Sequence, residues 1–243
     1  MGRTKTSIWP PRSVSCFSPF AYPARLWFCK LMKKIKTARG RKISSIKWLE
    51  RQLTDPYVVK AKKEGYRSRA AYKILEIDEK VHVLKKGQTI VDLGAAPGGW
   101  CQVAVQKGCK HVVAIDLLEM EPIEGVTFFQ MDFMTDEAPE TLITALNGER
   151  PDVVLSDMAH NTIGHPQTDH LKIVALVEAA YEFAVEVLAQ NGSFIAKVFQ
   201  GGTEGELLAR MKRDFKSVKH IKPPSSRKES PETFVVATGF RKQ

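Results

Sequence analysis

The first 49 residues of this 243-residue chain contain no aspartate or glutamate. Twelve of the chain's 37 lysines and arginines fall in that stretch, so residues 50 to 243 hold 25 basic against 27 acidic side chains. The formal net charge of +10 therefore belongs to an N-terminal arm, and the body is close to neutral. Such an arm either binds a polyanion, nucleic acid or acidic lipid, or is a solvated tail. Cysteine is also scarce. Cys16, Cys29, Cys101 and Cys109 form no C-x-x-C pair, which excludes a disulfide framework and fits a reducing, cytoplasmic protein. No Cys and His cluster has zinc-ligand spacing, so no metal is expected. Apolar runs stay strand-sized, and none reaches the roughly 18 residues of a membrane span. What remains is 43% apolar residues, enough to fill the core of one large α/β domain.

Residues 1 to 31 mix Pro10, Pro11, Pro19 and Pro23 with Trp9, Phe17, Phe20, Trp27 and Phe28, and hold no helical or strand period. The segment reads as a transit peptide, a disordered RNA-contacting tail, or upstream sequence joined to a gene that starts at Met32. The last fits best, because four prolines oppose the amphipathic helix of a transit peptide. Residues 32 to 55 form the basic arm, and 56 to 243 the main domain. Ser45 is a candidate cap for a short helix carrying Ile46, Leu49 and Leu53. Asp55 before Pro56 is a cap followed by proline at the first helical position, and Gly65 closes that helix, which exposes Lys60, Lys62 and Lys63. Ser68 opens a third helix over about 69 to 79, burying Ala70, Ile74 and Ile77, with Arg67 and Arg69 at its entrance.

Beyond Gly87, short apolar runs alternate with helical segments. Thr89 to Leu93, Val112 to Ile115, Thr127 to Phe129, Val153 to Leu155 and Ser193 to Phe199 read as buried parallel strands. The clearest helix runs from Asp169 to Leu188, with Val174, Val177, Tyr181, Ala184 and Leu188 on one stripe. A last strand, Thr233 to Thr238, follows Pro223-Pro224. The alternation predicts an α/β fold with a doubly wound, mostly parallel sheet.

A small-residue turn, Gly94-Ala95-Ala96-Pro97-Gly98-Gly99, follows the first strand and precedes a helix, where open α/β sheets bind cofactors. It is neither G-x-G-x-x-G nor a P-loop, which disfavours NAD and ATP, and with NAD a nucleotide-dependent oxidoreductase. Asp116 ends the second strand and suits ribose hydroxyls; Asp132 follows the third and could pair with an adenine amino group. Each aspartate alone could be a turn or cap residue. Aspartates at successive strand ends favour an adenosine held without a phosphate cradle, that is, S-adenosylmethionine. Trp100 could stack on a ligand or pack within its helix.

The chain at this point resembles the FtsJ-like ribosomal RNA ribose 2′-O-methyltransferases of bacteria. The likeness is carried by Ser68-Arg69-Ala70, Asp92 through Trp100, Ser156-Asp157-Met158-Ala159, Lys197-Val198-Phe199-Gln200-Gly201 and Ser225-Ser226-Arg227, and covers nearly all of residues 45 to 240. It implies a Rossmann-like methyltransferase fold, a seven-stranded sheet with an antiparallel last strand. It also implies a catalytic Lys73, Asp157, Lys197 and Glu232, and cofactor contacts at Gly98, Trp100, Asp116, Asp132 and Asp157. His160 departs from the proline of many relatives, and Phe234 marks changed surroundings for Glu232.

Such chemistry leaves one specific task, removing a proton from a ribose hydroxyl held in line with the methyl group. A free lysine, of pKa about 10.4, is a poor base at neutral pH. Burial and Lys73 would depress Lys197, whereas Asp157 and Glu232 would hold its charge. Lys197 is either the proton acceptor, oriented by Asp157 while Lys73 and Glu232 position the ribose, or a retained cation stabilising the alkoxide. It is the hardest of the four to explain as a surface charge, because it interrupts a buried strand. His160, His165, His170 and Asp169 invite a metal, but five-residue loop spacing is not a ligand pattern. The basic arm, the Lys60 to Arg69 cluster and the Lys222 to Lys228 loop are expected to converge as a phosphate-binding rim.

The resemblance points to a uridine of 23S ribosomal RNA on an assembled large ribosomal subunit, and thus to rRNA processing and ribosome biogenesis. Transfer RNA or an organellar ribosome is the alternative substrate, and an idle RNA-binding assembly factor the alternative class. Nothing demands a dimer, so a monomer is expected. Deleting residues 1 to 31 should leave methylation of RNA unchanged; a folded but inactive product in a methyl-transfer assay would show that the segment is functional.

Overall fold

The computed structural model describes residues 54–159, 166–199 and 205–241. The candidate cap Ser45, His160 and residues 1 to 53 lie outside them. In chain order the elements are α1 (Pro56–Glu64), α2 (Ala71–Val81), β1 (Thr89–Leu93), α3 (Gly99–Gln106), β2 (His111–Asp116), β3 (Val126–Gln130) and α4 (Glu137–Ala145). There follow β4 (Val153–Ser156), α5 (Pro166–Val187), β5 (Ser193–Phe199), α6 (Glu206–Asp214), β6 (Phe215–Ile221) and β7 (Glu232–Phe240). The seven strands form one sheet ordered β3-β2-β1-β4-β5-β7-β6. The first five are mutually parallel, and β7 runs antiparallel to both β5 and β6.

Helix punctuation decides α1. Asp55 caps it, its Oδ1 accepting the Tyr57 N–H at 3.0 Å, Pro56 supplies the first turn, and Gly65 closes it in the left-handed region at φ 81°. Helix α2 corrects the expectation from Ser68. It begins at Ala71, and the Ser68 hydroxyl caps nothing: it is buried without a hydrogen-bond partner among the described residues. The reason is crowding, since a Cβ on Gly99 would lie 2.5 Å from Ser68 Oγ. The small serine lets the α2 entrance press against the start of α3. Ile74 and Ile77 are buried as expected, and Ala70 only partly.

Alternation along the strands separates two cores. Val91 and Leu93, Val154, Phe194, Ala196 and Val198 face α4, α5 and α6. Ile90, Val153, Leu155, Ile195, Phe234 and Val236 face α2 and α3. By the same two-residue period, Lys197 and Glu232 fall on the α2 face with Ile195 and Phe234. Two strand expectations need correction. Strand β3 is not a fully buried strand but an edge, with Thr127 and Gln130 exposed. Strand β6, with exposed Lys216, Lys219 and His220, was not anticipated; it pairs only with β7 and lacks an apolar run. Helix α5 starts at Pro166, ahead of Asp169, and its buried stripe also takes in Ile173, Ala180, Phe183 and Val187.

One buried charge sits in β1. Asp92 faces α3, where the Cys101 thiol donates to its Oδ2 at 3.0 Å while Oδ1 has no partner among the described residues. Burial pushes the Asp92 carboxyl up to about 7, reinforced by Asp157 and Asp116 and opposed by the Cys101 hydrogen bond. The native state therefore holds a proton that the unfolded chain releases near pH 4, and this contribution to stability is lost as pH rises from about 4 through about 7. The upper bound is on the order of 4 kcal/mol. Asp92→Asn is expected to match the parent in urea unfolding at pH 4 and to exceed it at pH 8.

Candidate active site

Four segments deliver one charged group each to the carboxyl end of the sheet: Lys73 from α2, Asp157 just after β4, Lys197 from β5 and Glu232 from the start of β7. Lys73 Nζ lies 2.9 Å from Glu232 Oε2 and 3.6 Å from Asp157 Oδ1. Lys197 Nζ lies 3.0 Å from the same Oδ1 and donates to the Asp157 backbone carbonyl at 2.6 Å. Both ammonium groups approach Oδ1 out of hydrogen-bond alignment, so these contacts are ionic rather than directional. The Ser226 hydroxyl donates to Glu232 Oε1 at 2.9 Å, and the Lys73 ammonium stands 5.5 Å from the Phe234 ring centre. The four predicted residues thus come together as a neutral cluster of two cations and two anions. Glu232 partners Lys73 and not Lys197, contrary to the idea that it holds the charge of Lys197.

Burial would raise the Asp157 carboxyl, but the ammonium groups of Lys197 and Lys73 outweigh it and hold it below the ordinary aspartate value. For Lys73, burial and Arg69 pull down while Asp157 and Glu232 lift, and the lift prevails. Asp157 therefore contributes stability above its unfolded pKa that is lost as pH falls through its depressed native value. Lys73 contributes stability that is lost only as pH rises through its raised one. Between about pH 5 and 10 neither changes charge.

The glycine-rich turn lies beside this cluster. Gly94, Gly98 and Gly99 belong to the turn expected at the cofactor; their immediate requirement is protein packing. A Cβ on Gly94 would sit 2.8 Å from Met158, and one on Gly98 would sit 2.7 Å from Ile123 and 2.9 Å from Met120. Gly98 precedes α3 at φ 103°. Asp116 organises the turn, its Oδ2 accepting the Ala96 N–H and its Oδ1 the Leu118 N–H, at 2.9 and 2.8 Å. Among the described residues the Asp132 carboxylate accepts only the Met134 N–H of its own turn, at 2.9 Å. The bond from Met131 N–H to Asp116 O, 2.9 Å, keeps the two strand ends together. Exposed Leu117, Leu118 and Met134 flank them. Carboxylates with unfilled lone pairs beside open apolar side chains fit the hydroxyls and purine ring of an adenosine. Trp100 stands apart: it is 2% exposed, donates Nε1–H to Ala70 O at 2.8 Å and packs on Phe234. Its indole takes the helix-packing alternative.

A cleft of about 1110 Å³ opens over the cluster, lined by Lys73, Glu232, Pro97, Arg69 and the 224–230 loop. The expected basic rim is only partly free. Arg69 and Arg227 share the Asp55 carboxylate. Lys222 donates to the Lys228 and Ser230 carbonyls of its own loop. Arg67 reaches the carbonyls of Pro97, Glu121 and Pro122. Exposed Lys60, Lys62 and Lys63 lie on α1, outside the cleft lining.

Residues 66–240 match the family model described as FtsJ-like methyltransferase. The chain belongs to the FtsJ-like methyltransferase family. It is 59% identical over 229 residues to a protein of Azorhizobium caulinodans named ribosomal RNA large subunit methyltransferase E, covering 92% of each chain. It is 60% identical over 216 residues to a protein of that name from Xanthobacter autotrophicus, covering 87% of this chain and 85% of that one. A solved structure from Plasmodium falciparum, described as a ribosomal RNA methyltransferase, shares 33% identity at TM-score 0.64, covering 72% of this chain and 98% of that one. The sheet order above is thus the scaffold of an FtsJ-like methyltransferase. No helix of the described residues is long and apolar enough to cross a membrane.

In this FtsJ-like site, sequence reasoning passed over several supporting residues. Ser226 is a serine in a loop motif whose residue type does not announce its partner, Glu232, six residues on. Arg67 was read as an entrance charge, because nothing local shows that residues 121 and 122 fold back over it. The Asp55 carboxylate, read as a cap, also binds two arginines. Within the cluster, Lys73→Met should destabilise by about 3 kcal/mol in urea unfolding, because it strands a buried carboxylate. Adding Glu232→Leu should recover part of that loss; a strictly additive double mutant would mean the pair is not coupled.

Proposed function

We propose that this FtsJ-like protein methylates the 2′-hydroxyl of a uridine ribose in 23S ribosomal RNA, with S-adenosylmethionine as donor. It acts in the cytoplasm, as a monomer, on the assembled large ribosomal subunit. The observation that carries the reading is the convergence of Lys73, Asp157, Lys197 and Glu232, of which Lys73 and Glu232 line an open cleft, next to the turn that Asp116 organises. The names of the relatives support the ribosomal RNA substrate.

Asp116 and Asp132 would hold the ribose and base of the donor, and exposed Leu117, Leu118 and Met134 would offer apolar surface to it. When bound, S-adenosylmethionine supplies an electrophilic methyl group whose thioether leaves without needing a proton. The protein must place a ribose oxygen in line and accept its proton. Lys73 remains cationic through the neutral range, its charge held by Asp157 and Glu232, and cannot serve as that acceptor. Lys197, with only the Asp157 carboxylate and backbone carbonyl beside it, first gives up its ammonium proton to solvent, and the free amine then takes the proton from the 2′-hydroxyl. Lys73 and Glu232, braced by Ser226, position the ribose. Such proton transfer contributes about 10² to 10⁴ in rate, and Lys197→Ala should lower kcat by about that factor without unfolding the protein.

Arg67 is a positioning residue. Its three carbonyl contacts pin Pro97 to residues 121 and 122 and so fix the turn that Asp116 engages. Arg67→Ala should raise KM for the donor about tenfold, the equivalent of one charged hydrogen bond, with little change in kcat. The deciding experiment uses methyl-labelled S-adenosylmethionine and undermethylated large subunits, followed by alkaline digestion. Label in an alkali-resistant dinucleotide is expected, because 2′-O-methylation blocks cleavage there. Label released as mononucleotide would mean base methylation. Donor binding without transfer to any RNA would favour the idle assembly factor.

A further inference from the structure

The carboxyl end of the sheet holds the cleft described above, but the opposite end is open too. A second cleft of about 610 Å³ lies at the amino ends of the strands. It is bounded by the end of α2, the segment entering β1, the turn before β5 and the β6–β7 ribbon. Lys80, Lys85 and Lys219 line it, with the hydroxyl-bearing Ser193, Ser217 and Thr238 between them. These lysines are exposed and have no carboxylate partner among the described residues. Their neighbours are engaged: Lys107 by Asp78 at 2.6 Å, Lys110 by Glu149 at 2.8 Å and Lys216 by Asn191 at 2.6 Å. Asp152, the one carboxylate of the lining, already accepts the Thr89 N–H at 2.9 Å. Lys80 lies in the last turn of α2, where a cation complements the helix dipole. That explanation does not extend to Lys85 or Lys219, which lie outside helices.

Unpaired lysines converging from separate segments, with hydroxyl donors between them, match the chemistry that holds a phosphodiester backbone without reading its bases. We infer that this second cleft binds a phosphodiester segment of the RNA substrate remote from the reacting ribose, an inference that rests on the RNA methyltransferase reading. Along β5 alone, Ser193 lies about 13 Å of strand from Lys197, at ~3.3 Å per residue. The two clefts open at opposite ends of the sheet. Because β5 is buried, an RNA seated at Lys197 reaches the second cleft only around the edge of the domain, a path longer than about 13 Å that a few nucleotides do not span and a folded RNA does. The second cleft thereby selects large, structured RNA over short strands.

The test compares full-length protein with its Lys80→Gln, Lys85→Gln, Lys219→Gln triple variant, which alters exposed charge only. On large ribosomal subunits, KM should rise about tenfold and the dependence of KM on salt should flatten, with kcat unchanged. On a short RNA carrying the target uridine, KM should not move. Equal KM values for both proteins on subunits across the salt series would overturn the inference. So would an equal rise on both substrates, which would mean that the lysines act through the catalytic cleft. Filter binding to intact 23S ribosomal RNA without methyl donor gives a readout independent of turnover. Weaker binding by the variant is expected there even should the methylation reading fail, and unchanged binding would remove the second contact.

Discussion

The rest of the site depends on a balance of four charges. Lys73, Asp157, Lys197 and Glu232 are each mostly removed from solvent, and a buried charge is tolerated only when it is paired. Two cations and two anions from four separate segments satisfy that condition only when α2, β4, β5 and β7 have all reached their final places. The cluster therefore acts as a check on the assembled fold. Its two halves differ: Lys73 has two carboxylates within reach, whereas Lys197 has one carboxylate and one carbonyl. In the proposed mechanism that asymmetry gives two chemically identical side chains different duties.

Around this cluster, packing explains what residue types alone left ambiguous. The glycines of the cofactor turn are needed because Met158, Met120 and Ile123 crowd in from neighbouring loops. Trp100 closes the space between the α2 entrance and β7, with its indole N–H bonded to Ala70. The arginines that looked like free phosphate binders neutralise Asp55 or bond backbone carbonyls, which makes them part of the cleft wall.

Legibility followed burial. Strands β1 and β5 were read to the residue because both their faces are covered and, after Thr89 and Ser193 at their starts, their sequences are apolar apart from Asp92 and Lys197. Those two exceptions are the buried charges, and Lys197 was identifiable for that reason. Strand β6 was missed because a strand with one partner can carry Lys216, Lys219 and His220 without penalty. The start of α2 was misplaced because Ser68 has the residue type of a cap, while the collision it avoids involves Gly99, far along the chain. Family likeness supplied the four site residues. Local pattern could not have paired Lys73 with Glu232, 159 positions apart.

The direction of β7 has a consequence for how such a site can diversify. In a parallel sheet, strands present their last residues to the carboxyl end; β7, running the other way, presents its first. Glu232 thus arrives at the cluster together with the 224–230 loop that precedes it, which forms one wall of the cleft. The turns proposed to hold the adenosine come from β1, β2 and β3 on the other half of the sheet. In the proposed mechanism donor and acceptor are therefore served by separate halves that meet at β4. A change in length or sequence in the β6–β7 connection can retune which RNA is accepted while leaving the methyl-donor pocket untouched.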